Sequence, residues 1–438
     1  MKAAVIGAGL AGVEAAWQLQ KRGVAVELYE MKPQKRSPAH RADGFAELVC
    51  SNSLKAERVN SAAGLLKAEM AVFSSVCVEA AYQTRVPAGG ALAVDRERFS
   101  AYITEKIEGC AGITVIHKEV TELPTDADVV IVAAGPLASD ALAETIRKLT
   151  GEAGLAFYDA AAPIVTAESI DFSEAFTQSR YDRGGADDYI NCPMNKAQYE
   201  AFYEAITTAE RAETHSFDER RDVYEGCMPI EALASRGRDT MRYGPLKPVG
   251  LVDPKTGHRP WANLQLRKEN NAGTMYNLVG FQTNLKFGEQ KRVFSMIPAL
   301  ENAQFVRYGV MHRNTFLDSP RLLSADFSLK SDPHIFFAGQ ITGVEGYMES
   351  ASSGILAGIN AARRISGKET LVLPETTMMG ALSRYISDES VKDFQPMGAN
   401  FGVLPPVGVR IRDKAARYQA LADRALSALR AEKEKMGL

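Results

Sequence analysis

An α/β fold with a doubly wound parallel sheet is predicted by three features of this 438-residue chain. An apolar strand at residues 3–6 leads directly into a glycine-rich turn at residues 7–12. A second apolar strand, at residues 24–29, is followed by the acidic Glu30. A late strand, glycine turn and helix of small residues span residues 334–364. Strands that alternate with helices along a chain favour a parallel sheet covered by helices.

The first glycine turn has the spacing G-x-G-x-x-G and lies between a strand and a helical pattern. It consists of Gly7, Ala8, Gly9, Leu10, Ala11 and Gly12. Glycines at these places allow a tight turn, a close approach of the backbone to a pyrophosphate and close packing of helix on strand. Glu30, eighteen residues after Gly12, is placed to hold the ribose hydroxyls of an adenosine. The segment therefore predicts a dinucleotide site at the helix N-terminus.

The late segment indicates which dinucleotide binds. Gly339 and Gln340 follow its strand, and Gly346 and Tyr347 precede its helix. A late unit of this kind wraps the flavin end of FAD while the early unit holds the adenosine end, and a plain NAD dehydrogenase would not need it. No second G-x-G-x-x-G unit is visible, so NADH or NADPH is expected to bind weakly or transiently. Flavin chemistry then comes from the cofactor, and the protein supplies position and electrostatics.

We expect two domains. Residues 1–160 and 304–438 form a discontinuous, Rossmann-like FAD-binding domain in this interpretation. Between them, strands and short helices are mixed irregularly with many aromatic residues and prolines, which predicts an inserted α+β domain over residues 161–303. Helices are also predicted around residues 61–72, 95–109 and 413–435.

Composition sets the remaining limits. The net charge of −3 does not favour a polyanion partner, which would need a local basic patch. We expect no membrane span and no signal peptide. The five cysteines are odd in number, widely spaced and without a C-x-x-C pair, so neither a disulfide framework nor a metal site is expected and a cytoplasmic location fits best. They are Cys50, Cys77, Cys110, Cys192 and Cys227.

Two of these cysteines lie among polar, turn-forming neighbours, Cys50 in Glu47-Leu-Val-Cys-Ser-Asn-Ser53 and Cys227 in Tyr224-Glu-Gly-Cys-Met-Pro229. A lone cysteine is most often a small buried apolar residue. The chain, however, resembles the bacterial folate- and FAD-dependent tRNA uracil-5-methyltransferases over nearly its whole length. The matching segments are residues 7–14, 45–54, 86–99, 189–194, 247–254, 279–285, 306–314 and 343–350.

The resemblance implies C5-methylation of the T-loop uridine, position 54 of tRNA. The methylene would come from 5,10-methylenetetrahydrofolate, leaving tetrahydrofolate, and the hydride from reduced FAD regenerated by NADH or NADPH. By motif match, Cys227 would be the nucleophile that adds to C6 of the uracil, and Cys50 the partner in proton removal from C5. His312 could stack on the folate pterin or be a structural histidine. No obligate protein partner is evident.

A target base inside a folded tRNA must leave its stack, and the RNA phosphates need positive charge nearby. Lys32, Lys35, Arg36 and Arg41 are the first candidates for this contact because they lie close in sequence to Cys50. Basic residues of the C-terminal segment are the second candidates. Ordinary solvated surface is the competing interpretation of both sets.

Three other functions remain open from the sequence. The same chemistry could act on a ribosomal RNA uridine, since catalytic residues do not specify which RNA fold docks. An FAD- and NAD(P)H-dependent oxidoreductase of a small metabolite would not need two exposed cysteines. An RNA-binding flavoprotein without catalysis would lack activity with methylenetetrahydrofolate.

Overall fold

The structure is a computed structural model that describes residues 1–37, 39–151, 155–182, 185, 188–212, 228–391 and 394–438. For residues 155–160, 182 and 311–315 it describes the backbone alone. No helix within these ranges is both long enough and apolar enough to cross a membrane.

The larger sheet carries the strands that the sequence predicted. It contains β1 (Lys2–Ile6), β2 (Ala25–Glu30), β6 (Ile113–His117), β7 (Val129–Val132), β16 (Ser328–Leu329) and β17 (Asp332–Phe337). The order is β16-β17-β7-β1-β2-β6, and only β16 runs antiparallel to its neighbour. The central strand β7 is wholly apolar and buried, as expected for a parallel strand covered on both faces. The predicted α/β fold with a parallel sheet is confirmed.

Within the described residues, eight helices belong to the same part of the molecule. They are α1 (Leu10–Gln20), α2 (Ala62–Val72), α3 (Val76–Gln83), α4 (Arg96–Glu108), α5 (Asp140–Thr150), α11 (Tyr347–Ile365), α12 (Met378–Tyr385) and α13 (Lys414–Lys435). Ser61, Asp95 and Asp413 cap α2, α4 and α13 by accepting a hydrogen bond from a first-turn N–H. The three predicted helices therefore begin where their capping residues stand.

The second large sheet is antiparallel and comes from residues 164–307. Its strands are β9 (Ile164–Thr166), β10 (Phe176–Thr177), β11 (Tyr189–Met194), β12 (Ala262–Lys268), β13 (Met275–Leu278) and β14 (Phe305–Arg307), in the order β10-β11-β12-β13-β9-β14. Helices α6 (Lys196–Thr208), α7 (Ile230–Ser235), α8 (Thr240–Tyr243) and α9 (Phe287–Phe294) accompany it. Tyr199, Phe202, Phe281 and Phe294 form a core separate from that of the parallel sheet. The division at residues 160/161 and 303/304 stays a prediction.

Shorter elements make up the rest of the secondary structure in the described residues. A three-stranded sheet holds β3 (Ser53–Ala56), β4 (Arg85–Val86) and β5 (Ala91–Val94), and β8 (Leu155–Ala160) pairs with β15 (Met311–Phe316). The remaining short helices are α10 (Ser319–Leu322) and the 3-10 turns Ala167–Ser169, Phe172–Glu174, Arg180–Asp182, Pro298–Leu300, Gln340–Thr342 and Phe401–Val403.

The antiparallel sheet docks on the segment that contains Cys50. Asn52 donates to the carbonyl of Lys268 at 2.8 Å and accepts from the guanidinium of Arg267 at 2.9 Å. A second contact lies at the turn between β4 and β5, where the Gly89 N–H donates to Asp188 at 2.6 Å. Strand β12 therefore ends directly against the Cys50 segment.

Candidate active site

A cavity of about 390 Å³ lies at the carboxyl ends of β1 and β2. The two glycine segments that are distant in sequence meet here, together with Cys50. The predicted site residues that line it are Gly7, Ala8, Gly9, Leu10, Ala11, Glu30, Lys32, Cys50, Gly339, Gln340, Gly346 and Tyr347. A crevice at the carboxyl ends of parallel strands is the usual ligand site of open α/β sheets.

The first turn needs its glycines for steric reasons. Gly7 has a φ of +100°, and a Cβ there would lie 2.6 Å from the carbonyl oxygen of Ala133. A Cβ at Gly12 would lie 1.7 Å from the Gly7 carbonyl oxygen, so Gly12 supports the turn from behind the cavity. Gly9 has open space where its Cβ would stand, and it begins α1 without a side-chain cap. A phosphate can therefore approach the first-turn N–H groups of α1.

Glu30 is held in place by the backbone of this turn. Its carboxylate accepts from the Ala8 N–H at 2.9 Å and from the Lys32 N–H at 3.0 Å. Each carboxylate oxygen has more than one acceptor position. Lone pairs therefore remain for the ribose hydroxyls of an adenosine.

Lys32 lies in the wall of the cavity and not on the surface. It is 4% exposed, and its ammonium donates to the Gly44 carbonyl at 2.5 Å and lies 4.0 Å from Glu47. A side chain enclosed in this way does not reach the phosphates of a docked RNA. The expectation that Lys32 contacts RNA is therefore wrong, because the 32–47 segment folds back over its own lysine.

The late segment forms the opposite wall. Gly339 has a φ of +88°, and its N–H donates to Ser353 at 2.7 Å. Gly346 has a φ of +122° and begins α11, again without a side-chain cap. A Cβ there would lie 2.2 Å from Oε2 of Glu349, which itself pairs with Lys55 at 2.8 Å. Two helix N-termini thus point into one cavity, as a long, doubly negative dinucleotide such as FAD requires.

The Cys50 loop, residues 47–53, is held by groups from four distant parts of the chain. The Tyr347 hydroxyl accepts from the Cys50 N–H at 2.6 Å and from the Ser51 N–H at 3.2 Å. Arg96 donates to the carbonyl of Leu48 at 2.7 Å, and to that of Cys50 at 3.4 Å. Arg267 donates to the side chains of Ser51 and Asn52. Arg307 donates to the carbonyl of Val49.

These anchors make the surroundings of Cys50 electropositive. Arg96 is half-buried, and its guanidinium pairs with the buried Glu269 at 2.7 Å. Burial opposes its charge, yet the pKa of the guanidinium is raised because Glu269, Tyr347 and Cys50 all favour the charged form. For Arg307, burial lowers the pKa, and so does repulsion by Arg96. Cations beside a cysteine stabilise its thiolate.

Tyr347 stays a neutral phenol in this environment. Burial raises its pKa well above 10, and the nearby Cys50 charge raises it further. Its hydroxyl oxygen is therefore a fixed acceptor for the loop N–H groups. The resulting geometry places a thiol and a phenol in the cavity wall, with two arginines bonded to the Cys50 loop.

Sequence reasoning missed the three arginines that bond to the Cys50 loop, which are Arg96, Arg267 and Arg307. Arg96 and Arg307 lie within segments that carry the resemblance, but nothing in their local pattern separates them from surface cations. Their function depends on contacts across 173 and 258 residues, Arg96 with Glu269 and Arg307 with Val49. These contacts form only when the chain folds, so no local sequence pattern indicates them.

The remaining cysteines differ from Cys50. Cys77 and Cys192 are fully buried, and burial raises the pKa of both thiols. Cys110 is partly exposed and follows α4, away from the cavity lining. Cys227 lies outside the described residues. His312 lies on β15, of which only the backbone is described at that position.

Lys35, Arg36 and Arg41, the other RNA candidates near Cys50, are exposed, and the first two form ion pairs. Lys35 forms an ion pair with Glu119 at 2.8 Å, and Arg36 pairs with Asp43. The main-chain N–H of Arg41 donates to Glu47 at 3.0 Å. Exposed pairs of this kind are weak, so an RNA phosphate can compete for the cations. Their part in RNA binding stays a prediction.

The fold and the cavity together define a flavoprotein with a Rossmann-like FAD site. Residues 2–369 match the family model described as glucose inhibited division protein A. The solved structure of GidA from Aquifex aeolicus superimposes with a TM-score of 0.71 at 17% identity, covering 98% of this chain and 73% of that one. At that identity the likeness shows the fold alone.

Closer relatives identify the family. A methylenetetrahydrofolate--tRNA-(uracil-5-)-methyltransferase TrmFO from Acetivibrio thermocellus is 59% identical, with 97% of each chain covered. A protein of the same name from Desulforudis audaxviator is 58% identical over 98% of this chain and 97% of its own length. One from Listeria monocytogenes is 57% identical over 99% of both chains. The chain belongs to the glucose inhibited division protein A family and to its methylenetetrahydrofolate--tRNA-(uracil-5-)-methyltransferases.

Proposed function

We propose that the protein methylates C5 of the T-loop uridine at position 54 of tRNA, with 5,10-methylenetetrahydrofolate as carbon donor and FAD as redox cofactor. The observation that carries the proposal is the place of Cys50. It lies in the wall of the cavity that the glycine turns shape for a dinucleotide. A reactive thiol beside a flavin site is what a reductive methylation of uracil needs.

Two thiols divide the covalent chemistry in this proposal. C5 of uracil is a poor nucleophile until the Cys227 thiolate adds to C6, which moves the C5=C6 electron pair toward C5 and O4. C5 then attacks the methylene carbon. Cys50 accepts the C5 proton, and the bond between the methylene carbon and the folate nitrogen breaks, so that tetrahydrofolate leaves with that electron pair. Addition of a hydride to the resulting C5 methylene then expels the Cys227 sulfur from C6 and restores the C5=C6 double bond. Arg96 and Arg307 favour the thiolate of Cys50 that this proton transfer needs.

When bound, reduced FAD would supply the hydride that turns the methylene into a methyl group, and NADH or NADPH would reduce it again. Gly7, Gly9 and Gly12 would admit its pyrophosphate, and Glu30 would bind its ribose. Tyr347 would border its flavin end and keep the Cys50 loop at a fixed distance. His312 is proposed to stack on the folate pterin.

The test is incubation of the purified, FAD-loaded protein with unmodified tRNA, NADPH and carbon-labelled methylenetetrahydrofolate, followed by nucleoside analysis. We expect labelled 5-methyluridine at position 54, and none when that uridine is replaced by cytidine. A ribosomal RNA fragment is offered in parallel. Label in the ribosomal fragment alone, or flavin turnover without labelled RNA, would overturn the proposal.

Cysteine variants test the assigned roles. We expect Cys227→Ala to abolish methylation while FAD absorbance and flavin reduction persist. A tRNA with 5-fluorouridine at position 54 should give a covalent adduct with the unaltered protein and none with Cys227→Ala, because fluorine does not leave C5 as a proton does. Cys110→Ala is the control and should keep full activity. Methylation by Cys227→Ala would reverse the assignment of the two thiols.

A further inference from the structure

We propose that a basic aromatic surface on the antiparallel-sheet part of the chain is a docking site for the RNA substrate, and this inference rests on the proposed function. The surface consists of Arg238, Arg242, Tyr243, Lys247, Arg259 and Trp261. None of these residues lines the cavity. They follow α7, and the sheet strand β12 begins directly after them.

The charge of this segment is opposite to that of the whole chain. Residues 236–261 contain six Lys and Arg against two Asp, while the complete chain carries −3. One of the two acids, Asp253, is buried. Lys247 and Arg259 are exposed, and neither forms an ion pair with any residue that the structure describes. Unpaired exposed cations release counterions when they meet phosphates, which is the main source of affinity for RNA.

The residues form one surface and not a chance sequence cluster. The Arg242 guanidinium lies 3.9 Å from the centre of the Trp261 ring and donates to the Trp261 carbonyl at 2.9 Å. The Asn263 N–H donates to the Leu246 carbonyl at 3.0 Å, which brings the segment after α8 against the start of β12. The ammonium of Lys196 approaches the same indole at 5.5 Å.

Tyr243 provides a face for a nucleobase. Its side chain is 83% exposed, more than any other large apolar or aromatic residue in the described part of the chain. Trp261 is 37% exposed with a cation on its ring. Aromatic rings interleaved with arginine and lysine are the pattern of single-stranded RNA sites, where bases stack without regard to sequence. A protein partner would favour apolar contacts with fewer like charges.

Strand β12 connects this surface to the Cys50 loop. It runs from Ala262, beside Trp261, to Lys268, and Arg267 near its end donates to Ser51 at 2.9 Å. At about 3.3 Å per residue the two places lie roughly 20 Å apart. Proteins that bind double-stranded RNA contact about 16 base pairs at once, so one RNA arm can reach both. The surface would thus hold the RNA while its target base enters the cavity.

The experiment measures the Kd of the FAD-loaded protein for an unmodified tRNA transcript at several salt concentrations. Tyr243→Ala should weaken binding about tenfold, since stacking contributes roughly 1–3 kcal/mol per base. Tyr243→Phe keeps the ring and should bind like the unaltered protein. Lys247→Gln with Arg259→Gln should lower the slope of log Kd against log salt by about 1.5, at roughly 0.7–0.9 per phosphate contact.

The matched control is Arg147→Gln with Lys148→Gln on α5, which removes the same charge from another exposed site. It should leave the Kd and the slope unchanged, and all variants should keep FAD absorbance and the thermal midpoint. Unaltered binding by both Tyr243→Ala and the double variant would overturn the docking surface. Absence of tRNA binding by the unaltered protein would instead overturn the proposed function.

Discussion

Replacing Gly354 by alanine should separate α11 from α1 and loosen the FAD site. A Cβ at Gly354 would lie 2.1 Å from the Ala11 carbonyl oxygen, so the helices must move apart by about 1 Å to restore van der Waals distance. Overpacking of this kind costs about 1–3 kcal/mol of unfolding free energy. The shift also moves Tyr347, two turns earlier on α11, and stretches its 2.6 Å contact with the Cys50 N–H beyond hydrogen-bond range.

Denaturant unfolding and FAD absorbance of the purified protein measure the two effects. Gly288→Ala is the matched control, because Gly288 is also helical, in α9, but has open space where its Cβ would stand. That variant should gain up to about 1 kcal/mol from helix propensity and keep FAD. The reasoning fails if Gly354→Ala retains the stability and FAD content of the unaltered protein.

Two further predictions concern the charge states of Cys50 and Glu69. Arg96→Gln should slow the alkylation of Cys50 by iodoacetamide between pH 6 and 9, because a neutral amide no longer stabilises the thiolate. An unchanged rate would show that Arg96 does not stabilise this thiolate. Burial raises the pKa of Glu69 from 4.5 to about 8, so the folded state keeps a proton that the unfolded state releases. The contribution of Glu69 to the free energy of unfolding is fully present below pH 4.5 and is lost as the pH rises through about 8. Each unit of difference between the two pKa values corresponds to about 1.4 kcal/mol. In Glu69→Gln, the free energy of unfolding measured with urea should decrease less between pH 5, 6.5 and 8. An equally steep decrease would show that other groups cause the pH dependence.

The sequence predicted those parts of the structure that depend on local geometry. The turn at residues 7–12 and the strand ending at Glu30 could be predicted because glycine spacing and an acid at a strand end act over a few residues. The late unit at Gly339 and Gly346 was predicted for the same reason, and both units meet at one cavity.

Prediction failed where the fold brings distant charges together. Lys32 looked like a surface cation because its neighbours in sequence are polar, but Gly44 and Glu47 enclose it. Arg96 has the pattern of an ordinary first-turn residue of α4, and its buried partner Glu269 directly follows strand β12 of the antiparallel sheet. Burial and pairing of such groups depend on tertiary packing, which periodicity does not contain.

The anchoring of the Cys50 loop has a consequence during synthesis. Cys50 leaves the ribosome early, but Tyr347, which binds its N–H, follows 297 residues later. At about 5–20 residues per second, translation of that interval takes roughly 15–60 s. Throughout this time the nascent chain carries the Cys50 loop without the hydroxyl that accepts from its N–H groups. The Cys50 loop can therefore take its final geometry only after the segment that carries Tyr347 has been synthesised.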